Sequence, residues 1–292
     1  MNKSILCLAL SSMVMLGSVS EAESIKATLI MSGDRSWEGT ILGRDGDWIE
    51  FSTGRSPKPI RLGASTIKEL VFDVKIDQDE LNEMNQNREY ERIISALDRA
   101  MEPFTAYSDI PSNLSRYNSL LMELHYKTKN YDEALEFATL LAADDRDPAL
   151  QEKGRIYQAL TLIDAERPDD AEKLLTKYGW NEGLSNDAAP EKLYITAKLL
   201  MLKKQYAEAM ELVAKVIAFN SQDPDWMQPA ELLCAEIYTE LGMFDSAEEV
   251  IRQISLLYKN TNEDDLAQQL KIRIEKLRAE QELNETLESE EV

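Results

Sequence analysis

Two different spacings of apolar residues divide the chain near residue 75. Between Ile25 and Phe72 the apolar residues alternate with polar ones or form short runs, as they do in strands. Turn sequences such as Asp45-Gly46-Asp47 separate these runs. From residue 76 onward the apolar residues follow the spacing of amphipathic helices. The pattern predicts strands at residues 25–31, 36–43, 47–52, 59–62 and 66–72.

Five short strands in about 50 residues suit a small closed barrel, which removes the exposed edges of its own sheet. We therefore predict a barrel domain at residues 24–75. The stretches 29–34, 39–41 and 47–49 resemble the first half of an Sm-like pattern, over less than a fifth of the chain. The resemblance implies an SH3- or Sm-like barrel. RNA binding is not carried over, because the sequence Ile60-Arg61-Leu62-Gly63 departs from the later Arg-Gly step of that pattern.

The helical region is self-similar at a period near 38 residues. An aromatic residue followed three places later by Ala occurs in segments 130–134, 205–209 and 243–247, and a weaker copy lies at 167–171. The recurring alanines are Ala134, Ala171, Ala209 and Ala247. A small residue at such positions lets two helices cross closely, and the aromatic ring fills the gap at the helix turn.

These copies resemble the tetratricopeptide repeat, which is normally about 34 residues long. The resemblance implies a mainly α fold, an α-solenoid of antiparallel helix pairs, over residues 76–260. The extra residues are assigned to loops that contain Pro148, Pro190 and Pro224, and residues 179–189 look like an insertion. A degenerate leading copy is predicted at residues 77–103. Residues 261–292 are predicted to form a capping helix and an acidic tail.

The first 22 residues read as an export signal. Lys3 precedes a mostly apolar run, and the run ends in small residues that suit cleavage after Ala22. We expect an exported protein, with the bacterial periplasm as first choice and secretion as the alternative. No later apolar stretch reaches the length that a membrane span needs, so no stable membrane insertion is expected.

The formal net charge of −22 is concentrated in the helical region. Residues 24–75 carry 8 Lys and Arg against 7 Asp and Glu, whereas residues 76–292 carry 23 against 45. An acidic surface of this kind repels phosphate backbones, so nucleic acid is not expected as a partner.

The sequence offers no motif for catalysis, for a cofactor or for a metal. His125 is the only histidine, so a histidine metal cluster is excluded, and its place in a repeat helix favours a packing role. A Gly-rich phosphate loop and a Gly-x-Ser-x-Gly elbow are both absent from the sequence. Cys234 cannot form an internal disulfide once Cys7 leaves with the signal. We therefore predict a protein that is not an enzyme.

The tetratricopeptide resemblance implies a peptide-binding groove lined by the first helix of each repeat. Matching the register of the family gives these candidate groove residues: Arg116, Glu123, Tyr126, Lys127, Lys153, Tyr194, Lys198 and Glu236. One hypothesis is that the cations among them bind an acidic or carboxylate-ended peptide. The alternative is that they are scattered solubilising charges.

The functional expectation is a scaffold or adaptor of the cell envelope that binds a partner protein or peptide. Three alternatives stay open at this point. The chain could assemble with itself as a homo-oligomer without a separate client. It could act as an enzyme on envelope polymers. The β domain could bind a sugar or peptide through Trp37 and Trp48.

Overall fold

The computed structural model describes residues 25–33 and 35–290. The export signal expected at residues 1–22 lies outside these residues. The chain forms two compact units. The β unit contains the residues up to 77 together with 98–114, and the helical unit contains residues 78–97 together with those from 115 onward.

The β unit is built on one antiparallel sheet. Its strands are β1 (Ile25–Met31), β2 (Arg35–Asp45), β3 (Trp48–Ser52), β4 (Ile60–Gly63) and β5 (Ile67–Phe72). The sheet order is β4-β3-β2-β1-β5. The predicted strands are confirmed to within a few residues at each end. Alternation along the strands brings Leu29, Ile49 and Phe51 to one face, where all three are fully buried.

The prediction of a closed barrel is wrong. Strands β4 and β5 are the two ends of the sheet order and do not pair with each other. A later segment covers the free edge of β5 instead. The Leu70 N–H donates to the Pro111 carbonyl at 2.7 Å, and the Asn113 N–H donates to the Leu70 carbonyl at 3.2 Å. The Asn113 side chain also bonds the N–H and the carbonyl of Phe72. These bonds satisfy the edge that barrel closure would have used.

Residues 98–114 complete the β unit with a short aromatic layer. The Phe104 ring packs against the Phe72 ring with centroids 4.6 Å apart, and the Tyr107 ring lies 5.9 Å from it. Asp109 accepts a hydrogen bond from Arg44 Nη2 at 2.7 Å. A short 3-10 helix at Glu102–Tyr107 carries both aromatic residues.

The helical unit begins with a hairpin and continues with four helix pairs and a long final helix. The hairpin is α1 (Gln78–Gln86) and α2 (Tyr90–Met101), although the last residues of α2 belong to the β unit. The remaining helices are α3 (Ser115–Lys127), α4 (Tyr131–Ala143), α5 (Pro148–Asp164), α6 (Pro168–Tyr178), α7 (Pro190–Leu202), α8 (Tyr206–Phe219), α9 (Pro224–Glu240), α10 (Phe244–Leu257) and α11 (Asn262–Glu290). This region is a tetratricopeptide-like α-solenoid, as the sequence predicted.

The recurring alanines lie where the two helices of each pair cross. Ala134, Ala171, Ala209 and Ala247 all have no exposed surface. A larger side chain at these positions would force the paired helices apart. The packing role predicted for them is confirmed.

The turn between the two helices of each pair repeats through the unit. Lys129, Glu166, Lys204 and Gly242 adopt positive φ values between 56° and 70°. The next N–H then donates back to a carbonyl of the first helix, as Gln205 does to Leu200 at 2.8 Å. Arg88, between α1 and α2, has the same conformation at φ 58°. The first hairpin therefore shares the turn of the four pairs.

Helix starts and the final cap follow the sequence signals. Prolines 148, 168, 190 and 224 each begin a helix. The Asp147 side chain accepts hydrogen bonds from the N–H groups of Ala149 and Leu150. In α11 the buried residues include Ala267, Leu270 and Ile274, whereas Leu266 of the predicted stripe is 36% exposed. No helix among the described residues is long and apolar enough to cross a membrane.

Candidate functional site

The first helices of successive pairs, α3, α5, α7 and α9, lie side by side and form a groove. Its inner position follows from electrostatic proximity between pairs that are not neighbours. Asp225 of α9 contributes to the raised pKa of Tyr157 on α5, after burial and Glu123. Side chains from distant pairs approach each other only on the inside of a curved stack. We use the name groove for the inner surface of these four helices.

A polar network links three successive pairs in this groove. The Tyr126 hydroxyl of α3 donates to one carboxylate oxygen of Asp164 on α5. The Lys198 ammonium of α7 donates to the other oxygen at 2.6 Å. The Lys198 and Asp164 side chains keep 17% and 22% of their surface exposed. The network is therefore reachable from solvent although it lies deep in the groove.

Burial shifts the pKa values of the groove residues. Burial raises the pKa of Tyr194 to about 12 and raises the pKa of Tyr126 well above its usual range. Burial alone would lower the pKa of Lys198, but Tyr194, Tyr126 and Asp164 outweigh it and the pKa is raised. The Lys198 ammonium is thus fully charged at neutral pH.

Glu236 of α9 is the next carboxylate along the groove. Burial raises its pKa, and this effect is opposed by the nearby charge of Lys198. Among the described residues no hydrogen bond reaches its side chain. Its neighbour Glu240 is bound by Arg273 at 2.6 Å. Glu236 is therefore a partly desolvated carboxylate with free acceptor capacity.

The other predicted groove residues form two smaller groups. Lys153 pairs with Glu123, beside the Tyr157 ring that packs edge-on against Tyr126 at 5.3 Å. Arg116 is exposed, and its guanidinium lies 4.7 Å from the Tyr117 ring. The Lys127 ammonium lies 5.5 Å from the Tyr90 ring of α2. Each of the four predicted cations thus has a partner within the chain.

These pairings bear on the hypothesis of an acidic peptide. Lys153 and Lys198 already neutralise Glu123 and Asp164. A carboxylate from a partner would have to compete with an intramolecular one at both positions. The hypothesis stays a prediction, and the groove itself offers unoccupied acceptors rather than free cations.

Sequence reasoning missed Asp164 and Tyr157, which hold the centre of the groove together. A signal for Asp164 was present, because it lies 38 residues after Tyr126, close to the period of the repeats. Trp226, half-buried, also belongs here, with its ring 5.5 Å from that of Tyr194. The Trp180 side chain is buried beneath the loop that follows α6.

The single histidine and the free thiol lie in packing environments. The His125 ring is buried and stacks on Phe137 with centroids 5.7 Å apart. Cys234 is buried, and burial raises the pKa of its thiol to about 11. A thiol of this kind is protonated at neutral pH and unreactive.

Comparisons with known proteins agree with this repeat architecture. Residues 200–271 match the tetratricopeptide repeat family. A crystal structure of a putative kinesin light chain from Podosopora anserina, with nearly identical TPR-like repeats, is 16% identical to this chain. The match has a TM-score of 0.42 and covers 61% of this chain and 91% of that one. No curated protein matches. Tetratricopeptide repeats are generally modules for protein–protein interaction.

Proposed function

We propose that this protein is a non-catalytic scaffold or adaptor that binds a partner protein or peptide in the groove of its helical unit. The observation that carries the proposal is the network of Tyr126, Asp164 and Lys198. It places charged and aromatic groups from three pairs on one inner surface, together with Tyr194 and Glu236. Convergent polar groups framed by aromatic rings are the usual construction of a peptide-binding surface.

A photo-crosslinking amino acid at position 194 tests this proposal. It is introduced into the tagged full chain, the native envelope is irradiated, and attached proteins are identified by mass spectrometry. The matched control carries the same amino acid at Glu249, an exposed position on the second helix α10. We expect one partner that is attached from position 194 and is absent from the control. Identical attachment patterns from both positions would exclude the groove as the binding surface.

We also propose that the protein acts in the cell envelope after export, with the periplasm as its compartment. The charged start and apolar run of the first 22 residues support this proposal. Fractionation followed by N-terminal sequencing tests it. The expected product is periplasmic and begins at Glu23; an uncleaved cytoplasmic chain would contradict it.

Self-assembly is a second candidate, because large apolar side chains are exposed near the end of the helical unit. Leu256 and Leu257 are each 68% exposed, Ile272 is 54% exposed and Leu283 is 61% exposed. Exposed leucines in such numbers are typical of a contact surface. Light scattering on the purified protein tests this candidate, and a strict monomer at high concentration would eliminate it.

A further inference from the structure

The first helical hairpin contacts the far end of the helical unit. Arg88 lies in the turn between α1 and α2, and its guanidinium donates to the Asn260 carbonyl at 2.8 Å. It also forms an ion pair with Asp265. These partners lie 172 and more residues further along the chain, in and just after the turn between α10 and α11.

A second contact fixes the same hairpin to the beginning of the repeats. Tyr90, the first residue of α2, presents its ring to the Lys127 ammonium at the end of α3. The hairpin thus touches the first and the last of the paired helices within a span of three residues. A segment that joins the two ends of a curved stack must cross the opening of its inner side.

The groove network lies between these two contacts. Lys127 is adjacent to Tyr126, which binds Asp164. At the other end Glu263, two residues before Asp265, contributes to the raised pKa of Tyr194. The network of Tyr126, Asp164, Lys198 and Glu236 is therefore bordered by the hairpin's two anchoring points.

The hairpin is docked, yet its attachment is weak. Its apolar side chains Leu81, Met84 and Ile93 are at most 6% exposed. Helices of 9 and 12 residues depend on such packing for their stability. The polar anchor is solvent-accessible, with 40% of the Arg88 side chain and 46% of the Asp265 side chain exposed. Ion pairs of this kind are easily broken.

We propose that the α1–α2 hairpin is a releasable strap, which closes the groove when Arg88 is bound to the α10–α11 turn and opens it when Arg88 is released. The proposal rests on the proposed function of the groove as a binding surface. A partner that enters the groove must first displace the strap. Release of Arg88 therefore controls access to Lys198 and Glu236.

The alkylation rate of a cysteine placed in the groove tests this strap without any partner. The reporter is Glu236→Cys in the full chain with Cys234→Ala, and iodoacetamide labelling of the peptide that contains position 236 is followed by mass spectrometry. Adding Arg88→Glu should increase the rate about fivefold, the scale expected when an exposed ion pair is lost. Adding Asp265→Arg to that variant should restore the slow rate, because the pair is then re-formed with reversed charges.

The matched control is Glu249→Cys in the same background, whose rate should not change with Arg88→Glu. An unchanged rate at position 236 would overturn the strap, and so would an equal increase at both positions, since that would reflect loosening of the whole unit. If Arg88→Glu does not fold, Arg88→Gln gives the same comparison with a milder change. The result is independent of crosslinking from position 194, so the strap and the binding function can fail separately.

Discussion

Lys204 occupies a left-handed backbone position, at φ 61°, with an exposed side chain. A residue with a Cβ atom is strained there by about 1–2 kcal/mol, whereas glycine is not. We expect Lys204→Gly to stabilise the helical unit by about 0.5 kcal/mol or more, after the greater unfolded-state entropy of glycine is subtracted. Urea denaturation measures the change.

The equivalent position in the last pair provides the control. Gly242 has φ 70°, so Gly242→Ala should destabilise the protein by about 1 kcal/mol. Shifts of the same sign in both variants would contradict the assignment of a common turn.

Glu236 predicts a dependence of stability on pH. Burial raises the pKa of this carboxyl above its ordinary value of 4.5, so its ionisation opposes folding. At a pH below 4.5 the group is protonated in both the folded and the unfolded chain, and its contribution is constant. As the pH rises through the raised pKa, the ionised form costs folding free energy. We expect Glu236→Gln to be more stable than the wild type at pH 7, with a difference that vanishes near pH 4.

Thermal unfolding of the two proteins between pH 4 and pH 8 measures this difference. Glu249→Gln is the control, since hydrogen bonds from Arg252 and Gln253 lower the pKa of Glu249. That substitution should bring no gain at pH 7. A Glu236→Gln difference that is constant with pH would exclude desolvation of this carboxyl as its cause.

At the scale of elements, α4 and α5 pack closely at Gly154. A Cβ atom there would lie 2.5 Å from the backbone nitrogen of Ala142 and 2.9 Å from the Ala138 carbonyl oxygen. Gly154→Ala must therefore push the two helices apart, and we expect a loss of about 1–3 kcal/mol in the free energy of unfolding. Gly43→Ala is the control, because no atom lies within 4 Å of its added Cβ. An equal effect of both substitutions would show that the close approach carries no energetic weight.

The elements were predictable from the sequence wherever the signal is local. The alternation around Leu29 and Phe51 marks strands, and the spacing of Ala134 to Ala247 marks helix pairs, because each depends on residues close in the chain. The barrel closure was wrong because the edge of β5 is covered by Asn113, about 40 residues later. Nothing near either segment indicates that pairing.

The groove was predictable only in part, for a related reason. The repeat register identifies which residues face inward, as for Tyr126 and Lys198. It does not identify which of them bind each other, since the contact of Lys198 with Asp164 depends on how far one pair is rotated against the next. The contact of Arg88 with Asn260 depends on the accumulated curvature of all the pairs, which no single repeat encodes.

At the scale of the whole molecule, the net charge of −22 opposes compaction. The folded chain brings 54 acidic side chains close together with only 32 cations to compensate them. Because dissolved salt screens this repulsion, we expect the melting temperature to rise between about 10 mM and 500 mM NaCl. KCl should give the same rise, which would identify screening rather than binding of a particular ion. A fall in melting temperature with salt would show that ion pairs such as Lys198–Asp164 contribute more than the general repulsion.

The hydrogen bonds between Asn113 and strand β5 have a consequence for biosynthesis. All five strands leave the ribosome before residues 111–113 are made, and at about 5–20 residues per second this interval lasts on the order of seconds. During that time the nascent sheet has an unpaired border that invites association with neighbouring polypeptides. Nascent chains stalled with residue 97 outside the ribosomal tunnel should therefore be sensitive to protease in the sheet, and chains stalled with residue 114 outside should be resistant. Equal sensitivity at both lengths would mean that the sheet matures without its late-made border.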